Sequence, residues 1–256
     1  MNPIISIKNL TKNYGTNPVL KGIDLEIEAG KIIGYIGPNG AGKSTTLKIL
    51  TGIIPDFEGD VTVLGMDVRE NPIEIKRRIG FIPENAMLYE TLTPMEYLIF
   101  IGQLYDMSMS EIEKKAHDLL SLFGLLVNVN QRMTTFSKGM KQKVLLIAGM
   151  IHNPEIIFLD EPLSGLDANA VILVKEILVQ LRNSGKTIVY SSHIMDVVEK
   201  ISDQIVLINK GEIIANGSFE ELQSTRNASL EQIFAQLTGS TESTSLTAGQ
   251  FLDAMK

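Results

Sequence analysis

The chain has 256 residues, 44% of them apolar and 21% charged, with a formal net charge of −7 and no cysteine. That length supports a sizeable core with one or two lobes, and the balance excludes a disordered chain. Missing thiols exclude disulfides and thiolate metal sites, and suit a reducing cytosol; the acidic excess argues against a nucleic-acid partner. The longest unbroken apolar run, residues 144–151, has eight residues including a glycine, whereas a bilayer span needs roughly 20. The N-terminal MNPIISIKNLTKNYG has neither the charged start nor the long apolar centre of a signal peptide. The expectation is a soluble chain whose role at a membrane would run through a partner.

Residues 5–10 (ISIKNL) and 23–28 (IDLEIE) alternate apolar and polar side chains, as strands with one wet face do. Residues 32–36 (IIGYI) form a short apolar strand that runs into a glycine-rich turn, and residues 44–50 open a helix. Residues 61–64 and 79–82 read as further short strands. From Thr93 to about Met150 the spacing becomes helical, with Leu98, Ile101 and Leu104, then Ile112, Ala116, Leu119, Leu120 and Phe123. Residues 156–159 (IIFL) have the character of a buried strand. A helix over 168–183, a strand over 187–190 and a helix over 194–201 follow. Residues 204–209 and 212–215, joined by Lys210-Gly211, read as a hairpin. The tail after Gln223 is rich in Ser and Thr and carries one apolar helical patch, 230–237, expected to be peripheral. Strands alternating with helices predict an α/β core with a mostly parallel sheet, and the helical middle an inserted lobe. The domain reading is 1–222 as the main unit, with the lobe at about 85–150, and 223–256 as a tail.

Gly37-Pro38-Asn39-Gly40-Ala41-Gly42-Lys43-Ser44 fits the phosphate-loop pattern G-x-x-x-x-G-K-[ST], with Thr45 next in the helix. Glycines let backbone N–H groups approach phosphates closely, and the helix that follows points its positive end at them. Lys43 would reach the β- and γ-phosphates of ATP, and the Ser44 hydroxyl would hold Mg²⁺. The apolar strand 156–159 ends in Asp160 and Glu161, at the sheet edge where a nucleotide binds. Asp160 is expected to hold the metal, and Glu161 to act as the general base on the attacking water.

With these motifs in place, the chain resembles the ATP-binding cassette ATPases over roughly residues 4–222. Tyr14 in KNYG resembles the aromatic residue that stacks on adenine. Glu84 in FIPEN stands where the family usually has a glutamine, and its carboxylate is expected to ligate Mg²⁺ with Ser44 and Asp160. Phe136-Ser137-Lys138-Gly139-Met140 resembles the signature usually written LSGGQ. Ser164-Gly165-Leu166-Asp167 resembles the loop after the acidic strand, and Ser192-His193 the histidine that contacts the γ-phosphate. The resemblance implies a phosphate-loop core with an antiparallel β subdomain and a helical subdomain. It also implies a head-to-tail homodimer in which Ser137, Lys138, Gly139, Met140 and Asp167 of one subunit cover the ATP of the other. The departures Lys138, Met140 and Glu84 look similar to a multidrug and antibiotic export branch. A separate membrane permease and a place on the cytoplasmic face of the membrane are then implied. Two alternatives are a soluble cassette ATPase of translation or DNA repair, and a non-catalytic nucleotide sensor. The first would usually carry two cassettes or a long coiled coil with a metal hook, and the second should lack the equivalents of Glu161 or His193. The segment Ala86-Met87-Leu88-Tyr89 is either a surface that couples the nucleotide site to the permease or part of the lobe's core.

Overall fold

The strand alternation at the N-terminus runs further than its apolar pattern indicates. In the computed structural model, which describes residues 3–85, 87–193, 195–224 and 229–238, β1 spans Ile5–Tyr14 and turns through Gly15 into β2, Asn17–Ile27. The two pair antiparallel, and β1 also pairs with β4, Glu58–Val63, which turns back into the two-residue β5, Met66–Asp67. This four-stranded sheet has the order β2-β1-β4-β5. The second sheet holds β3 (Ile32–Ile36), β6 (Ile79–Ile82), β7 (Ile156–Asp160), β8 (Thr187–Ser192), β9 (Gln204–Asn209) and β10 (Glu212–Gly217), in the order β10-β9-β3-β8-β7-β6. Every pairing in it is parallel except β9 with β10. Residues of β3, β7 and β8 are buried throughout. That is why they read as continuous apolar runs: a parallel strand covered on both faces has no wet side to alternate with.

Among the described residues the α-helices are α1 (Lys43–Leu50), α2 (Pro72–Arg78), α3 (Pro94–Leu104), α4 (Met109–Leu122), α5 (Lys138–Met150), α6 (Ala168–Asn183), α7 (Met195–Ile201), α8 (Phe219–Ser224) and α9 (Leu230–Thr238). The lobe is α3, α4 and α5. Thr93 opens α3 with a reciprocal capping box to Glu96, and Ser108 and Ser137 cap α4 and α5. Leu98, Ile112, Ala116 and Leu120 join the lobe to Val144 and Ile147 of α5, in one core that continues into β7 and β8 through Ile157, Leu159 and Tyr190. The lobe is therefore fastened to the sheet by α5, the helix that begins with the signature.

Three short elements, β5, α2 and α8, were not anticipated. Both helices carried start signals: proline in the first turn of α2, and a Ser218–Glu221 capping box before α8. The tail differs from expectation more substantially. Leu230 and Ile233 of α9 are fully buried in the main core with Val198 and Ile201 of α7, and the Leu230 N–H donates to Glu199 Oε2 at 3.4 Å. Each such side chain contributes about 1.5–3 kcal/mol over its exposed state, so this part of the tail is docked, not peripheral. Ile194, expected to be the first residue of the helix that is α7, and Ala86 lie outside the described residues.

Candidate nucleotide-hydrolysis site

The site forms where β3 leaves the sheet. The chain turns through residues 37–42 and enters α1 at Lys43. A Cβ on Gly37 would sit 2.2 Å from the Ile208 carbonyl oxygen, and Gly42 holds φ +111 at the helix cap, 2.5 Å from Leu20 Cδ2 by the same measure. Only glycine allows the loop to lie this close to β2 and β9 in that backbone conformation. Ala41 is 2% exposed and packs into the core beneath the loop. The resulting cleft encloses about 430 Å³ and is lined from the loop by Pro38, Asn39, Gly40, Gly42, Lys43, Ser44 and Thr45. Glu84 after β6 and Asp160 and Glu161 at the end of β7 face the same cleft, as do Asn17 and Val19 of β2.

Lys43 Nζ donates to the Gly37 carbonyl at 2.7 Å and to Pro38 at 3.3 Å, and lies 4.0 Å from Glu161 Oε1. Burial pulls its pKa below that of an ordinary lysine, and the nearby carboxylates of Glu161, Asp160 and Glu84 act against that pull. Asp160 accepts a 2.5 Å hydrogen bond from Ser191 Oγ of the neighbouring β8. Glu161 leaves the strand at φ +49, a left-handed conformation unusual for a residue with a long side chain, and its N–H donates to the Ser191 carbonyl. Its Oε2 lies 2.9 Å from His193 Nδ1 and accepts from Ser192 Oγ at 3.5 Å. Its Oε1 is buried and has no hydrogen-bond partner among the described residues. The charge facing it is Lys43 Nζ, 4.0 Å away.

Ser44, Glu84 and Asp160 offer hard oxygen donors on one cleft. Among the described residues no three His, Cys, Asp or Glu side chains form a metal cage by themselves. That donor set suits Mg²⁺, which takes one or two protein oxygens and completes its shell with water and phosphate.

The remaining expected residues stand elsewhere. His193 does not line the cleft and lies 2.9 Å from Glu161, which does. Tyr14 is half exposed at the end of β1, with Lys12 Nζ 5.0 Å from its ring centre; its ladder partner Asn17 lines the cleft and Tyr14 does not. The signature sits at the exposed start of α5, where the Met140 N–H donates to Ser137 Oγ at 3.2 Å. Asp167 caps α6, and the Ala170 N–H donating to it holds its carboxyl below the usual range, helped by Lys143. None of Ser137, Lys138, Gly139, Met140 and Asp167 lines the cleft of its own chain. Two residues that sequence reasoning missed, Asn17 and Val19, belong to the extension of β2 before its alternation becomes clear. Gln142, two residues past the signature, is buried and donates to the Pro162 carbonyl at 3.0 Å, fastening α5 to the loop after Glu161.

A glycine cradle at a helix N-terminus, with two carboxylates at a nearby strand end of a mostly parallel sheet, defines a phosphate-loop nucleotide hydrolase. The ABC transporter family model matches residues 20–164. The linearmycin resistance ATP-binding protein LnrL of Bacillus subtilis is 37% identical over 221 residues, 86% of this chain and 71% of that protein. The Nod factor export ATP-binding protein I of Rhizobium meliloti is 36% identical over 213 residues, 83% of this chain and 64% of that protein. Among solved structures, the ATP-binding subunit of an ABC transporter superposes with a TM-score of 0.86 at 32% identity, covering 92% of this chain and 99% of its own. A dimeric ATP-binding cassette in a post-hydrolysis state, bound to ADP and Pi, gives 0.78 at 28% identity, covering 84% and 98%. The chain belongs to the ABC transporter family. It is a transporter ATP-binding subunit that binds and hydrolyses ATP.

Proposed function

We propose that this subunit drives export of a substrate through a separate membrane permease, by closing head-to-tail with a second copy around two ATP molecules. The observation that supports the reading is the separation just described: Lys43, Asp160 and Glu161 share one cleft, and no signature residue of the same chain lines it. In this reading the β- and γ-phosphates draw Lys43 from the carbonyls of Gly37 and Pro38, and the N–H groups of Gly40, Gly42, Lys43, Ser44 and Thr45 cradle them. Ser44, Asp160 and Glu84 would hold Mg²⁺, which neutralises charge on the phosphates. Glu161 takes a proton from water as its oxygen bonds to the γ-phosphorus; the bond to the bridging oxygen breaks, and ADP carries away the electron pair. His193 orients Glu161 through its Nδ1 and approaches the γ-phosphate. Ser137, Lys138, Gly139, Met140 and Asp167 of the partner close the site. The cassette is assigned to residues 1–222 with its lobe at about 85–150, and residues 223–256 to a tail.

Tyr14 is proposed as the platform for adenine beside Asn17 and Val19. Stacking of this kind contributes roughly 0.5–1.5 kcal/mol. Tyr14→Ala should therefore weaken ATP several-fold in a titration, while Tyr14→Phe stays near wild type. Equal affinity for all three proteins would remove Tyr14 from the site.

Among the described residues no helix is long and apolar enough to cross a membrane, which supports a separate permease on whose cytoplasmic side the subunit sits. Some relatives carry resistance and export in their names, which supports the direction. Met87 and Tyr89 are exposed, the latter edge-on to the exposed Phe100 at 5.7 Å, so these two side chains are surface and not lobe core. Nearby elements leave a groove of about 190 Å³ between the sheet and the lobe, lined by Thr51, Ile53, Lys76, Ile79, Phe81 and Tyr105. Cysteine placed at Ile53, Met87, Tyr89 or Phe100 should crosslink to the cytoplasmic loops of a co-expressed permease. Failure at every position, in a complex that assembles, would count against this surface.

A further inference from the structure

Lys138 is the position at which this signature departs most in chemistry from a glycine. Its Nζ donates to Ser164 Oγ at 3.0 Å, and its stem lies over Gly165, where a Cβ would come within 3.0 Å of it. Among the described residues it forms no ion pair, whereas Lys141 pairs with Glu90 at 2.7 Å and Lys143 lies 3.7 Å from Asp167. The first turn of α5 holds no acidic residue, so a cation there opposes the helix dipole without compensation. A locally unfavourable charge of this kind is expected where function requires it.

The loop that Lys138 holds begins at the proposed base. Ser164 N–H donates to the Glu161 carbonyl at 3.2 Å, and the buried Gln142 amide holds the Pro162 carbonyl between them. The start of α5 therefore grips residues 161–167 through Lys138, Gln142 and Lys143. A glycine at position 138 would remove the outermost of these grips.

We infer that Lys138 is a positioning residue that ties the signature turn of one subunit to the loop carrying that same subunit's Glu161. This rests on the head-to-tail reading. The signature serves the ATP of the partner, and Glu161 serves the ATP of its own chain. When the signature closes on the partner's γ-phosphate, the tie to Ser164 carries that closure three residues back to the base. Within each chain the Lys138–Ser164 hydrogen bond thereby couples the two sites, beside the contacts of Gln142 and Lys143.

The test is a double-mutant cycle on the full chain: Lys138→Ala, Ser164→Ala and the two together, with Lys138→Arg as the conservative variant. Each alanine variant should lower kcat about three- to tenfold, the size of one hydrogen bond, with KM for ATP changed less than about twofold. The double variant should be no slower than either single, and Lys138→Arg should recover most of the rate. The Hill coefficient for ATP should exceed 1 in the wild type and fall toward about 1 in both singles. Thermal midpoints within about 2–4 °C of wild type would set the effect apart from lost stability. The inference is overturned by wild-type turnover of Ser164→Ala, by additive losses in the double variant, by a change in KM alone, or by a wild-type Hill coefficient of 1. A failure of the head-to-tail reading itself shows in an experiment that alters neither residue, the mixed dimer of Lys43 and Ser137 variants.

Discussion

Glu161→Gln should bind ATP as the wild type does and hydrolyse it on the order of 10²–10⁴-fold more slowly, the usual contribution of a general base. Glutamine keeps the length and planarity of the side chain, so the 2.9 Å contact from His193 Nδ1 can survive through the amide oxygen. The proton acceptor is what disappears. The charge on Lys43 loses one of three carboxylates that favour it, leaving Asp160 and Glu84, so phosphate binding persists. ATP that is bound but not cleaved should hold two cassettes closed, and the variant should elute as a dimer in ATP and Mg²⁺ while the wild type returns to monomer after turnover. Glu161→Asp tests the backbone at the same time. Aspartate tolerates the φ of +49 seen at this position better than most residues do, but its carboxylate falls one methylene short. It should fold at least as well as wild type and still turn over slowly. Wild-type turnover in Glu161→Gln would remove the residue from the role of base.

What the sequence shows of this site depends on how local each constraint is. The phosphate loop is legible because its physics is confined to eight consecutive residues, glycines included, at the end of an apolar strand. The apolar runs of β3 and β7 are legible because burial on both faces leaves an unbroken hydrophobic pattern. Contacts across the sheet are not legible. Asp160 with Ser191, and Glu161 with Ser192, join residues 31 apart because β7 and β8 lie side by side, and no periodicity records that register. The exposed face of the β1–β2 hairpin is weakly patterned, which hid Asn17 and Val19 and cut β1 short of Tyr14. Helix α9 shows the opposite case: its apolar patch was plain, but its burial against α7 is a tertiary fact. Two of the site readings drawn from family resemblance, His193 and the signature, depend on a neighbour for their proposed roles, Glu161 in one case and a second subunit in the other. A single sequence carries little trace of either.

The proposed trans action of the signature makes two inactive proteins restore each other. Lys43→Ala removes the point cation from the γ-phosphate and should cost on the order of 10²–10³-fold in hydrolysis, as loss of one strong electrostatic contact does. Ser137→Arg places a bulky cation where a hydroxyl donor should meet the partner's phosphate. Ser137 is exposed and caps α5, so losing the cap costs about 0.5–2 kcal/mol, small beside the burial of Val144, Leu146 and Ile147 that holds the helix. Each variant should therefore fold, and each homodimer has both sites broken. In a mixed dimer one site combines both defects. The other combines the intact Lys43 and Glu161 of the Ser137 variant with the intact Ser137 and Gly139 of the Lys43 variant. Isolated mixed dimers should recover up to about half of the wild-type rate if the two sites fire independently, and the recovered rate should rise with protein concentration, as for any equilibrium dimer. Trapping of labelled nucleotide gives a second readout, with one ATP held per mixed dimer even when firing needs both sites. A mixed dimer that forms and neither traps nor hydrolyses ATP would end the trans assignment, and Ser137 would be left as the helix cap it already is within its own chain.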